Sequence, residues 1–129
     1  MNEVDISGTW QSWYEYESGG VTHDSAHTLH LVQQGNTVTG SSQPKTTGDS
    51  SVELNLAVHD REVRGQFREV TEQRGRYAGR EFTGLIHLAL NADNTEMRGV
   101  WTGASRSGVI KSGAWILRRA GVIKPAKSG

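Results

Sequence analysis

Leu29-His30-Leu31 followed by Val38-Thr39-Gly40, Leu54-Asn55-Leu56 followed by Val63-Arg64-Gly65, and Ile86-His87-Leu88 followed by Met97-Arg98-Gly99 are three copies of one pattern. Each copy alternates apolar and polar residues with a period of two, the signature of a strand that buries one face. The segments between the triplets, Gln34-Gly35-Asn36, His59-Asp60-Arg61 and Asn91-Ala92-Asp93-Asn94, are polar and turn-forming, so each copy reads as a hairpin. Gly8-Thr9-Trp10 enters a strand before the first copy, and Gly113-Ala114-Trp115-Ile116-Leu117 lies in one after the last. The pattern predicts strands at about 7–17, 22–33, 37–43, 51–58, 62–70, 78–90, 96–103 and 109–119. Helical spacing competes at Val63, Phe67 and Val70 and at His23, His27 and His30, but Gly65 and the repeat oppose it. No proline falls between Pro44 and Pro125, and closing a meander of hairpins on itself removes exposed edges. The expectation is an all-β fold, an eight-stranded up-and-down antiparallel β-barrel, with residues 1–119 as a single domain and 120–129 as a C-terminal tail.

Composition agrees. A chain of 129 residues has room for one core, and 16 glycines with 4 Trp, 3 Tyr and 2 Phe suit short strands better than a disordered chain, although mean hydropathy is −0.57. The absence of cysteine excludes disulfides, thiolate metal sites and thiol nucleophiles. The longest apolar run, Ala114-Trp115-Ile116-Leu117, is far short of the roughly 20 residues that cross a bilayer. The start, Met1-Asn2-Glu3-Val4-Asp5, is acidic where a signal peptide is basic, so a cytoplasmic chain without membrane insertion is expected. Zero net charge hides an asymmetry. Up to Val58 one lysine faces seven acids, 1 − 7 = −6, and from His59 onward 13 bases face seven acids, +6. Either the second half offers cations to an anionic ligand, or acidic first strands pair with basic last strands when the sheet closes.

Pairing each hairpin across its turn sets Leu31 opposite Val38, Leu56 opposite Val63 and Leu88 opposite Met97. The inside is then apolar or glycine, while His30, Thr39, Glu53, Asn55, Arg64, Gln66, Arg68, Thr83, His87, Arg98 and Thr102 point outward. At the end holding the three short turns the interior set is Ile6, Trp10, Leu31, Val38, Leu56, Val63, Leu88, Met97 and Leu117, bulky and without a polar group, so that end is expected to be a plug. At the opposite end the longer loops near 18–22, 43–50, 71–77 and 104–108 frame a mouth. The same parity brings there Ser12, Tyr14, Tyr16, His23, Ser25, His27, Ser42, Glu69, Arg80 and Lys111, above Phe67, Phe82 and Trp101. Gly40, Gly65, Gly84, Gly99 and Gly103 along the inner wall bend the strands, let large rings lie across them, or leave volume for a ligand.

The chemistry this allows is binding. His23 and His27 share a strand face while His30 takes the other, so no metal site is expected. No phosphate loop or nucleophile elbow is present, and a Glu69–His27 acid/base pair has no geometry in the sequence alone, so neither catalysis nor a cofactor is expected. Arg61, Arg64, Arg68, Arg74, Arg76 and Arg80 are interleaved with Asp60, Glu62, Glu69, Glu72 and Glu81, which cancels the field that polymeric nucleic acid needs. One or two phosphates on Arg80 and Lys111, with bases stacked on Tyr14, Tyr16 or Trp101, fit the mouth.

Ile6-Ser7-Gly8-Thr9-Trp10, the Gly-x-aromatic steps Gly65-Gln66-Phe67, Gly99-Val100-Trp101 and Gly113-Ala114-Trp115, and the ending Trp115-Ile116-Leu117-Arg118-Arg119 give residues 6–119 a resemblance. The chain resembles the minimal STING-like β-barrel effectors of bacterial CBASS antiphage systems. That resemblance implies a receptor or sponge for a cyclic dinucleotide held inside the barrel, although family members usually carry two N-terminal transmembrane helices that this sequence lacks. Lipocalins and avidins also begin with Gly-x-Trp and end near an Arg that can cover the Trp, which makes a carrier of a small apolar ligand the alternative. The expected ligand contacts are Ser12, Tyr14, Tyr16, His27, Ser42, Phe67, Arg80, Trp101 and Lys111. Tyr14, Tyr16 and Trp101 are the stacking surfaces, Arg80 and Lys111 the phosphate partners, and Ser12, His27 and Ser42 the groups for base or ribose edges. The ligand's identity and the oligomeric state stay open.

Overall fold

A computed structural model of the chain describes residues 4–18, 20–42, 51–70, 81–104 and 108–120, with the side chains of residues 17, 18 and 23–25 outside that description. Eight strands follow one another: β1 (Gly8–Ser18), β2 (Val21–Gln34), β3 (Thr37–Ser42), β4 (Ser51–His59), β5 (Glu62–Val70), β6 (Glu81–Leu90), β7 (Glu96–Ala104) and β8 (Ile110–Arg119). Each pairs antiparallel with the next and β8 returns to β1, closing the expected barrel in the order β1-β2-β3-β4-β5-β6-β7-β8. β4 shows the cause most simply: Val52, Leu54, Leu56 and Val58 are buried, and the residues between them are exposed.

The faces match the alternation, but the register differs from the expected one by two residues in all three hairpins. Leu31 pairs with Gly40, Leu56 with Gly65 and Leu88 with Gly99, while Val38, Val63 and Met97 lie opposite Gln33, Val58 and Leu90. The cause is tighter, later turns. Gly35-Asn36 and Asp60-Arg61 form two-residue loops, with φ of 63° at Gly35 and 57° at Asp60. In the third loop Asn91 Oδ1 accepts from the backbone N–H of Thr95 and Glu96 at 2.9 and 3.0 Å. Because the side-chain period is two, a slip of two residues moves partners without turning any side chain over.

The short-turn end is plugged and strapped. Ile6, Trp10, Val38, Val63, Met97 and Leu117 are fully buried there. Gln33 holds the entering segment, accepting from Ile6 N at 2.8 Å and donating to Val4 O at 2.8 Å. Arg119 donates to the carbonyls of Ser7, Asp5 and Asn94 at 2.8, 3.0 and 3.1 Å while its guanidinium sits 4.5 Å from the Trp10 ring centroid. Arg61 ties the second and third turns together through Asn91 O, Ala92 O and Asn94 Oδ1.

Among the described residues, charge is balanced mostly within the second half. Among ion pairs joining described residues, Arg68–Glu53 links the halves, whereas Arg68–Glu81, Arg64–Glu62, His87–Glu62, Arg98–Glu96 and Arg118–Glu96 lie within the second. Among the described residues the acidic first half therefore meets the basic second half at Glu53–Arg68 and where the charge of Arg119 acts on Asp5. The reason is the meander, which makes β5 to β8 neighbours of one another and leaves only the β4/β5 and β1/β8 seams between the halves.

Candidate functional site

Above the plug the lumen is crossed by a layer of rings. Tyr14 on β1 and Glu69 on β5 stand four strands apart around the wall, and the Tyr14 hydroxyl nonetheless donates to Glu69 Oε2 at 2.6 Å. A tyrosine long enough to bridge a small barrel thus forms a crossbar over its core. The Trp115 ring lies 4.8 Å from Tyr14 and 5.4 Å from Phe67, and Phe67 meets Trp101 edge-on at 6.1 Å and 86°. Centroid spacings of this order are those of favourable aromatic pairs. His27 stacks parallel to Tyr14 at 5.9 Å and 1°, and Tyr16 lies 6.2 Å from Tyr14 on the side away from the plug.

This layer divides the expected site residues. Ser12 is 1% exposed beneath it, and its hydroxyl accepts from Trp115 Nε1 at 2.7 Å, so it satisfies a core donor and does not face the mouth. Tyr14, His27 and Phe67 are buried as parts of the layer itself. Ser42, half-buried, accepts from Val52 N at 2.9 Å where the β3–β4 ladder ends. Tyr16, Phe82 and Lys111 are exposed and Trp101 half-buried, all of inward parity, and they form the wall above the layer. Arg80 and the loops at 43–50, 71–80 and 105–107 lie outside the described residues, as do the side chains of His23 and Ser25.

Trp101 and Phe67 each explain one glycine. Its indole N–H donates to Glu15 O at 2.7 Å, and a Cβ on Gly113 would stand 2.6 Å from that nitrogen. A Cβ on Gly84 would stand 2.7 Å from the Phe67 ring. These glycines let rings lie flat against the inner wall. The β1–β8 ladder runs only from Trp10–Arg119 to Tyr14–Trp115, so above that level the Trp101 indole takes a β1 carbonyl that a ladder bond would otherwise use. The crossbar and the central position of Trp115 escape a reading based on parity, which places residues on a face but does not say which of them meet across the lumen.

The outer wall also has relief. A groove of about 840 Å³ crosses the outside of β3 to β6, lined by Thr39, Asn55, Gln66, Thr83 and Leu85, on the opposite side of the sheet from the mouth. His30 borders it, its Nδ1 2.9 Å from Thr9 Oγ1, and His87 hydrogen-bonds Glu62, so both histidines occupy the outer positions expected of them. That bond, with the charge of Arg64 next in weight, holds the Glu62 carboxyl below its ordinary value. β2 is a strand throughout, which removes the helical face that would have gathered His23, His27 and His30, and no group of three metal-ligating side chains converges among the described residues.

The class is therefore a closed eight-stranded antiparallel β-barrel, sealed at one end and walled by aromatic rings at the other. No family model, curated protein or solved structure matches this chain.

Proposed function

We propose that this chain is a ligand-binding barrel, a receptor or sponge for a nucleotide-type second messenger, with a cyclic dinucleotide of antiphage signalling as the foremost candidate. One observation carries the reading: the Tyr14–Glu69 bond spans the lumen, and beyond it, away from the plug, Tyr16, Trp101, Phe82 and Lys111 share the inward parity, which we take as the wall of a ligand cup. Flat rings suit bases, since stacking contributes about 1–3 kcal/mol per base, and an ammonium suits phosphate. Tyr16 and Trp101 are the stacking surfaces, and Lys111 is the phosphate partner. Ser12 leaves the ligand set, and Tyr14, Phe67 and His27 form the floor. Arg80 is proposed as a second phosphate partner on sequence grounds alone.

The alternative is a carrier of a small apolar ligand, favoured by the Arg119–Trp10 contact that closes the far end as in the barrels of that kind which the ends of the sequence resemble. Lys111 and the Glu69 carboxylate at the cup favour the polar ligand. A thermal-shift screen of cyclic and linear nucleotides beside fatty acids and retinoids decides between them. A ligand at 100 times its Kd adds about 2.7 kcal/mol of stability, and that gain is expected from a nucleotide. A shift with fatty acids or retinoids alone would replace the receptor with the carrier.

A further inference from the structure

The groove on the outer wall is built from two parallel rows of side chains. Nearer the plug run Val32, Thr39, Asn55, Gln66 and Leu85, each the ladder partner of the next from β2 to β6. Nearer the mouth run His30, Ser41, Glu53, Arg68 and Thr83 in the same way. Gly40, Leu54, Phe67 and Gly84 lie between the rows and are of inward parity, so the floor there is backbone. Four spacings of roughly 4.8 Å make each row about 19 Å long, and the groove encloses about 840 Å³. That is the shape of a site for a chain and not for a single small ring.

What the groove can hold follows from which of its groups are already engaged. Arg68 is the one Arg or Lys among the residues lining it, and Glu53 and Glu81 share that guanidinium at 3.1 and 2.5 Å, so it is not available to a phosphate. His30 has Nδ1 on Thr9 and Nε2 buried, and offers the groove no polar atom. Val32 and Leu85 are exposed at opposite ends of one row, too far apart to hold an apolar ligand between them. Thr39, Ser41, Asn55, Gln66 and Thr83 remain, exposed and without a hydrogen bond from their side chains to another described residue. Every one of them is both donor and acceptor. Asn55 and Gln66 are direct cross-strand partners at the centre, and an amide sets its donor and acceptor side by side, the complement of two neighbouring hydroxyls. A peptide fits less well, since extended peptides add to a sheet edge and the strands of the closed barrel are paired on both sides here. We propose that this groove is a second binding site, for a neutral oligosaccharide lying across β2 to β6, with Asn55 and Gln66 as its central contacts. The site is independent of the nucleotide reading, whose ligand occupies the cup on the other face of the sheet.

The test is titration of the isotope-labelled full chain with neutral oligosaccharides of glucose, xylose, mannose and N-acetylglucosamine, followed by NMR, in which the side-chain amides of Asn55 and Gln66 give signals of their own. These groups are hydrated in the free protein, so each contact contributes little and a Kd of about 1 mM or tighter is expected from at least one sugar. That sugar is expected to shift both amide signals and to leave the indole signal of Trp101 in place. Asn55→Ala and Gln66→Ala change exposed side chains, so the barrel is retained, and each is expected to weaken binding about fivefold, the effect of one neutral hydrogen bond. Raising salt is expected to leave the affinity unchanged, because the ligand carries no charge. No shift with any of the sugars at about 10 mM, tenfold above that Kd, would overturn the site. So would shifts that spare both amides, or an affinity unmoved by both substitutions. An extended Ser-Thr peptide that shifts the two amides where no sugar does would assign the groove to a peptide and overturn the saccharide. Each of these outcomes leaves the cup and its nucleotide untouched.

Discussion

Replacing Ser12 by Ala removes one oxygen from the barrel and separates a core role from a ligand role. Ser12 and Trp115 are each 1% exposed, and the serine hydroxyl is the acceptor for the indole N–H at 2.7 Å. Without it the indole nitrogen is stranded beneath the ring layer, where water has no ready access. Leaving a buried donor unsatisfied costs about 1–3 kcal/mol, well above the median for a small surface change. For a chain of this length each kcal/mol lowers Tm by roughly 3–5 °C. Urea unfolding followed by tryptophan fluorescence should show a lower midpoint with an unchanged slope, since the surface exposed on unfolding is the same. Ser112→Ala, at an exposed position of β8, is the control and should stay within about 0.5 kcal/mol. If Ser12→Ala costs no more than Ser112→Ala, the hydroxyl is not bound in the core and the placement of the ring layer above it is wrong.

Leu54→Ala, at a side chain 3% exposed, should cost about 2–5 kcal/mol in the same assay, and Asn55→Ala beside it less than about 0.5 kcal/mol. Gly113→Ala should cost on the order of 1–3 kcal/mol and shift tryptophan emission, because the added methyl meets the Glu15 carbonyl and the Trp101 indole; a neutral outcome would mean that Trp101 does not lie across the wall. Acid stability should respond to Glu96, whose pKa is held below its ordinary 4.5 by the hydrogen bond from Arg98 and then that from Arg118. A folded-state pKa below the unfolded one adds stability that is present above about pH 4.5 and fades as pH falls through the folded value. Arg98→Ala and Arg118→Ala together should flatten that part of a Tm-against-pH curve, whereas a curve parallel to the wild type would show that the contacts contribute nothing.

Alternation carried most of the fold. In β4 every second residue is buried, so Leu54 and Asn55 could be assigned to opposite faces from spacing alone. What spacing does not carry is where a turn sits: placing the loops one residue later at Gly35-Asn36 and Asp60-Arg61 moved each partner by two positions and no face. The site was legible as a list of inward residues and not as a geometry. Ser12 and Lys111 share a parity, yet one is sealed under the rings and the other open above them, and only the height of the layer separates them. That height is set by Tyr14, Phe67 and Trp115, of which Phe67 on β5 meets Trp115 on β8 across the lumen. Contacts between strands that are not neighbours leave no periodic trace in a sequence.

The claim that matters most is that the ligand enters the cup and not the groove on the outer wall, and one titration series addresses it. Affinity for the best nucleotide of the screen is measured for wild type, Lys111→Ala and Arg64→Ala, each at low and high salt. Lys111 is exposed at the cup, and Arg64 is an equal charge on the outside of β5. Loss of the Lys111 contact should weaken binding by roughly 1.5–3 kcal/mol and reduce its salt sensitivity, and Arg64→Ala should leave both unchanged. If Arg64→Ala weakens binding as much as Lys111→Ala, or if only Arg64→Ala does, the ligand lies on the outer wall and the cup is not its site.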